Sequence, residues 1–516
     1  MTRTPETREQ GVALVFTLFL MAALSAMAVS MMFLAQTETA ASRNYKTMSQ
    51  ARYAGEAGVH RALHYLSSTA YTDSVTATTG FDTSVSPVRY NGQPVVLAPV
   101  STNSNHPDAT IKAAFAALFT TSAATMAAGS GTVSYTASAT LVSMRLVNVY
   151  GGTPKIIQTW RINGTGMVPV AGAGSAYATV EVAGILERNS VPAETYAIFA
   201  TGTGCGAITM SGNVTTDSFD YGQYQAWLAL GNSGPPPTQN SGGSVGSNGN
   251  LTIGGNVIVN GNLDTPRAGV GSCNNGNITA LTQTGGATVS GDTVQLPQAK
   301  NYPTPSAPSP VGTSTLNIST SSSCLHLGLP VGVMCTGGSG VFSITTFGIT
   351  IPWGDVTMEA GTSITFLSGV PGDVTTKLNV NTFAMEGSSS INLGAGMSVV
   401  LNAKGDSVPS NQAVIDLTGG SLVNGTGSAA FDASRFQILY AGTGTIMVGG
   451  STDTAATIYA PNALVDMNGN ADFYGSILSN RFRDNGGASV HYDRSLGQKF
   501  FTVGQHVLSS FSWQKY

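Results

Sequence analysis

Residues 12–35 read VALVFTLFLMAALSAMAVSMMFLA, 24 consecutive positions without a charge. Wound as a helix at 1.5 Å per residue, the run is about 36 Å long, enough to cross a hydrocarbon core of roughly 30 Å. A cleavable secretory signal has a shorter apolar stretch and a small-residue cleavage site behind it, so this segment is expected to stay attached. The leader before it, MTRTPETREQG, carries Arg3 and Arg8 but also Glu6 and Glu9. Charge asymmetry therefore sets orientation only weakly.

The helical pattern continues beyond the apolar run. Between Thr37 and Ser68 small or apolar residues recur every three to four positions, at Met48, Ala51, Gly55, Val59, Ala62 and Leu66, which predicts one long amphipathic rod over 12–68. On the segments GVALVFTLFL (11–20) and QARYAGEAGVHRAL (50–63), with Ala54, Glu56, Ala57 and Gly58 in the most specific part, the chain resembles the N-terminal region of PilX-type minor pilins of type IV pili. That resemblance implies a prepilin peptidase cutting after Gly11, leaving Val12 as the first residue. It also implies a helix that resides in the inner membrane, with the C-terminal part exported, and is then drawn with other pilins by the assembly platform into a pilus at the cell surface. Major pilins have Glu at the fifth residue after the cut, where this chain has Phe16; minor pilins that cap a fibre lack it too, since the most distal subunit has no neighbouring ammonium to neutralise. Gln10 stands where a basic residue is usual.

Alternating segments at 131–147, 155–162 and 176–187, behind a helical patch at 111–119, predict an antiparallel sheet. With the long helix they suit a pilin-like α+β domain over 69–200. From 201 the composition shifts to Gly, Asn, Ser and Thr, and GNLTIG, GNVIVN and GNLDTP put Gly249, Gly255 and Gly261 six apart, beside Asn250, Asn256 and Asn262. Leu251, Val257 and Leu263 keep the same step. The period predicts an all-β solenoid (β-helix), with the apolar position inward and Gly or Asn supplying positive φ at corners. Weaker echoes at 211–216, 276–281 and 469–478 extend the reading to a first section, 201–300, and a second, 313–516, divided by a Pro-rich linker at 301–312. Residues 456–496 look like the β-helical module that accompanies PilX-type N-termini.

Only 48 of 516 residues are charged and the net charge is −4. A surface so poor in cations does not hold a phosphate backbone, so no nucleic-acid partner is expected. Cys205, Cys273, Cys324 and Cys335 all follow the apolar run, and in an oxidising compartment their even count permits two disulfides. Joining Cys324 to Cys335 closes a small loop and leaves Cys205 for Cys273, one of three pairings that stay open. Cys-x-x-Cys spacing is absent, and no metal or cofactor is implied.

Catalytic motifs are thin. Gly242-Gly243-Ser244-Val245-Gly246 matches a nucleophile elbow without its strand-to-helix context, and His60 and His64 have Arg61 where a zinc protease needs Glu. The carboxylates between 313 and 433, of which Asp355 and Glu359 lie nearest each other, are dispersed, whereas glycoside cleavage needs a facing pair. A structural, non-enzymatic role in pilus assembly and adhesion is therefore expected. Some 450 exported residues imply a radius of gyration of at least about 22 Å, too broad for a packed shaft and suited to a tip. The alternative is a membrane-anchored surface β-helix that binds or cleaves polysaccharide.

Overall fold

The computed structural model describes residues 9–68, 71, 80–120, 124–128, 131–147, 155–169, 177–274, 276–419, 422–424, 430–450, 453–470 and 472–515. They form two compact units, one of residues 1–146, 156–189 and 504–516, the other of 147–155 and 190–503.

In the first unit helix α1 spans Glu9–Ser67 without a break. Its stripe at Ala51, Gly55, Val59, Ala62 and Leu66 is buried, the three-to-four spacing that puts residues on one helical face. Met48, expected in the same stripe, is more than a third exposed. Helix α2, Ala109–Ala117, starts where the Asp108 carboxylate accepts from the backbone N–H groups of Thr110 and Ile111 at 2.7 and 3.2 Å, satisfying two otherwise orphaned donors. It buries Ile111 and Phe115.

Among the described residues the unit's larger sheet has six strands. Its long members are β1 (Gly131–Val147), β2 (Lys155–Pro169) and β3 (Tyr177–Pro192), with the C-terminal strand Phe501–Lys515 on the β3 edge and Val96–Leu97 on the β1 edge. β2 and β3 pair antiparallel from Thr159–Glu187 to Pro169–Tyr177, and Val96–Leu97 and Thr125–Ala128 run antiparallel to β1. The alternation read from the sequence locates all three long strands. It misses the C-terminal strand, expected in the second β section, because fifteen residues of alternating character fit either sheet.

Among the described residues the second unit contains a sheet of 27 strands. Asp355–Met358, Ser363–Ser368 and Val374–Val380 pair in parallel with Thr382–Met385, Ser390–Leu393 and Met397–Ala403, and the pattern of each strand bonding the third one after it continues from there. Inward side chains therefore stand in columns. Ile351, Leu378, Leu401, Ile438, Ile458, Ile477, Ile198, Val245 and Leu263 follow one another in register, all fully buried. Each such burial contributes about 1.5–3 kcal/mol.

This column passes through residues on both sides of 301–312 and corrects the division into two sections. The chain enters the stack in its middle at Ile198–Ala200, advances to Thr293–Gln295 at one end, and re-enters at the other end with Thr315–Ile318, coiling back until Asp472–Asp484 pairs with Ile198–Ala200 and Ile208–Gly212. The Pro-rich segment is a strap along the stack. Lys300 N donates to Asn248 Oδ1 (2.8 Å), Tyr459 Oη to the Pro303 carbonyl (2.7 Å), Asn379 Nδ2 to the Pro310 carbonyl (2.9 Å) and Gly312 N to the Trp353 carbonyl (3.0 Å). Seven strand-to-strand steps separate the Asn248 and Trp353 levels, about 34 Å at ~4.8 Å each. Twelve residues of polyproline II reach about 37 Å at ~3.1 Å each. Pro303, Pro305, Pro308 and Pro310 lack the N–H that would let this segment join the ladder as a strand. Tyr459→Phe, which leaves the Pro303 carbonyl without this donor, should cost about 1 kcal/mol; faster protease cleavage within 300–312 is the readout, and unchanged cleavage would show that the strap is held elsewhere.

The six-residue period also acquires a different meaning. Leu251 pairs with Leu281, and Val259 with Val289, each 30 positions on, so the hexads are successive sides of one turn. Only Gly255 of the three hexad glycines has positive φ, +75°. Gly249 and Gly261 are required by close approach: a Cβ on Gly261 would lie 2.5 Å from Ser244 N. Nor do the hexad asparagines turn corners through positive φ. Asn250 donates to the Thr279 carbonyl (2.7 Å), Asn256 to Asn213 (3.0 Å), and Asn262 accepts from Asp292 N (3.0 Å), so they stitch one turn to the next.

Candidate functional site

α1 has two halves of different character. From Val12 to Leu34 every large apolar side chain is exposed, Phe16 at 74%. Among the described residues α1 alone is long and apolar enough to cross a membrane. Gly11 and Val12 lie within α1, which includes the last three residues of the expected leader, Glu9, Gln10 and Gly11. No acidic side chain stands at Phe16 or elsewhere between Val12 and Thr37.

The other half is set into the sheet, and the AGEAG segment explains how. A Cβ on Gly58 would sit 2.7 Å from the Thr136 carbonyl oxygen of β1, and one on Gly55 would press on Val182 at 3.0 Å. From the sheet side, Gly164 and Gly166 of β2 face the Gly55 and Ala51 carbonyls so closely that neither has room for a Cβ. Helix and strand thus meet backbone to backbone, and Ala54 is buried between them. Glu56 bonds Arg52 (2.9 Å), whose guanidinium lies 3.9 Å over the ring of Trp513, while Ala57 packs at the margin of the core.

The four cysteines form Cys205–Cys273 and Cys324–Cys335. Ser244 begins a strand at Val245–Ser247, not a helix, and its hydroxyl accepts from Asn262 N at 3.1 Å. His60 and His64 are on the exposed face of α1. Asp355 is occupied by Asn381 and Thr382, both at 2.8 Å. Among the described residues no group of three His, Cys, Asp or Glu is placed to hold a metal ion. A cavity of about 360 Å³ lies beside the start of the strap, among Thr201, Asn248, Lys300, Tyr302, Asn462 and Asn480; the amide nitrogens of Asn248, Asn462 and Asn480 are used to hold neighbouring backbone and hydroxyls.

His491 and Tyr474 are both buried, and carboxylates lie beside them that no local sequence pattern brings together. His491 Nδ1 lies 2.5 Å from Asp217 and Nε2 3.5 Å from Asp472, with the Tyr474 ring 4.6 Å away. Burial opposes the imidazolium, but the hydrogen bonds and charges of Asp217 and Asp472 outweigh it and raise His491 to about 9. Asp484 is raised to about 7 by burial, offset in part by the Gly486 N–H. Asp217 and His491 are 274 positions apart and share a register pair only because two distant turns stack.

A family model described as "Domain of unknown function (DUF7305)" matches residues 354–499, inside the second unit. No curated protein matches. Among solved structures, the chain is similar to the competence-associated pilin ComZ from Thermus thermophilus at 13% identity, over 91% of this chain and 98% of that one; the TM-score of 0.22 is too low for a shared fold to follow.

Proposed function

We propose that this chain is a pilin-like structural protein of a type IV pilus or related pseudopilus, of the PilX-type minor kind, working in fibre assembly and adhesion rather than catalysis. Its second unit is, on this reading, a β-solenoid carried at the fibre tip. The observation that carries the proposal is the division of α1: a bare apolar half, and a half seated through Gly55 and Gly58 on its own sheet. Bare aliphatic surface of this extent needs lipid or other apolar helices around it, which is what residence in the inner membrane followed by packing among other pilins supplies. Backbone-level seating keeps the rest of the helix rigid while the first half changes surroundings.

The test is the N-terminal mass of the protein recovered from cells and from sheared fibres. A chain beginning at Val12 is expected, cut by a prepilin peptidase; an intact Met1 in fibre-free membranes would overturn the assignment. Phe16→Glu, which supplies the acidic side chain that a capping subunit has no use for, should change fibre number or length, and unaltered fibres would remove the capping role.

A further inference from the structure

Twelve residues at one end of the parallel stack, Cys324 to Cys335, read CLHLGLPVGVMC and are closed on themselves by the Cys324–Cys335 disulfide. The strands flanking this loop, Thr315–Ile318, Val341–Thr346 and Thr350–Pro352, each have a parallel partner on one side and, among the described residues, no parallel partner on the other, where Val341–Thr346 is instead covered by the antiparallel strand Met334–Gly338. Here the stack ends. Leu327 turns inward and is fully buried, its carbonyl accepting from Trp353 Nε1 at 2.9 Å. Leu329 and Val333 are half-buried against the same core, and the large apolar side chains left facing out are Leu325, 93% exposed, Val331, 103%, and Met334, 54%. Not one Asp, Glu, Lys or Arg occurs from 301 to 354.

We propose that this loop is a finger that inserts into the hydrocarbon layer of a lipid bilayer. Three projecting aliphatic side chains offer a few hundred Å² at most, below the about 800 Å² per partner of a stable protein interface. A second copy docked here is therefore too weakly held. A bilayer accepts single apolar side chains without shape matching, and a charge-free tip brings no ion to desolvate. The absence of Lys and Arg argues against capture by anionic headgroups. The disulfide closes the loop and limits the conformational freedom lost on insertion. This inference concerns the second unit alone and stands whether or not the pilin reading holds.

The test uses the full chain, held by its apolar helix in nanodiscs and mixed with separate protein-free phosphatidylcholine vesicles, with co-flotation as the readout. Wild-type nanodiscs should rise with the vesicles, equally well in high salt and with phosphatidylglycerol added. Leu325→Ser combined with Val331→Ser should lower capture by on the order of a hundredfold, roughly tenfold per side chain, with both disulfides still formed. A Leu325→Trp variant should show a blue shift of its emission on adding vesicles. Capture that survives the double substitution, capture that requires phosphatidylglycerol and fails in salt, or nanodiscs that pair without vesicles through the same residues would each overturn the proposal.

Discussion

Replacing Gly166 by valine should destabilise the first unit by about 3 kcal/mol or more. The new side chain would point into the Ala51 carbonyl and the Gly55 N–H of α1. Neither can move aside alone, because both are backbone groups of an unbroken helix. Overpacking in a core usually costs 1–3 kcal/mol when side chains can adjust; here only backbone meets the intruder, so the helix must lift. Lifting it exposes Val59, Ala62 and Leu66, which the sheet now covers. Limited proteolysis of the full chain in detergent should then cut β1 to β3 at much lower protease concentration than in wild type. Gly271→Ala, at a position with open space around the missing Cβ, should stay within about 0.5 kcal/mol. A Gly166→Val chain as resistant as wild type would mean that α1 and β2 are not in backbone contact.

Stability of the second unit should fall as pH rises from about 6.5 to about 9. In the unfolded chain His491 titrates near 6.5 and in the folded unit at about 9, where Asp217 and Asp472 hold its proton. The folded state therefore binds that proton more tightly, and the contribution is complete below 6.5 and lost as pH passes through 9. A shift of that size corresponds to on the order of 3 kcal/mol. Asp484 adds a slope of the same sign at lower pH: an acid raised from 3.8 to about 7 is favoured in its neutral form, so its contribution is present below 3.8 and lost on rising through 7. Urea midpoints measured from pH 5.5 to 9.5 should decline throughout. In His491→Gln the part above pH 7 should flatten, while the whole curve drops because Asp217 is left buried without its cation. Midpoints that stay level between 6.5 and 9 in wild type would show that His491 is neutral in the fold.

α1 and the three long strands were readable because each is a local pattern: a step of three to four, or of two, repeated over a dozen residues. Spacing alone left three pairings of the four cysteines open, of which Cys205–Cys273 with Cys324–Cys335 is the one formed. The reading went astray where a local signal admits two physical causes. Gly249 and Gly261 looked like corners needing positive φ but are close approaches, and the asparagines beside them stitch turns together. The Pro-rich segment looked like a linker because its composition says only that it is extended and cannot pair; that it runs along one stack depends on Asn248, Tyr459 and Asn379 waiting at the right levels.

The amino-acid order by itself determined that this protein carries a bare apolar rod, a motif of small residues after it, and a long uncharged tract of short strands with apolar residues facing one way. Only the tertiary structure decided which turn lies on which. Ile198 sits between Ile477 and Val245, and Asp217 meets His491, because the chain enters the stack in the middle and closes on itself 279 residues after Ile198, at Ile477. Every turn presents a similar apolar face, so local hydrophobicity is satisfied by many stacking orders. The choice among them rests on summed packing and paired polar groups across the whole stack, which no short window of residues contains.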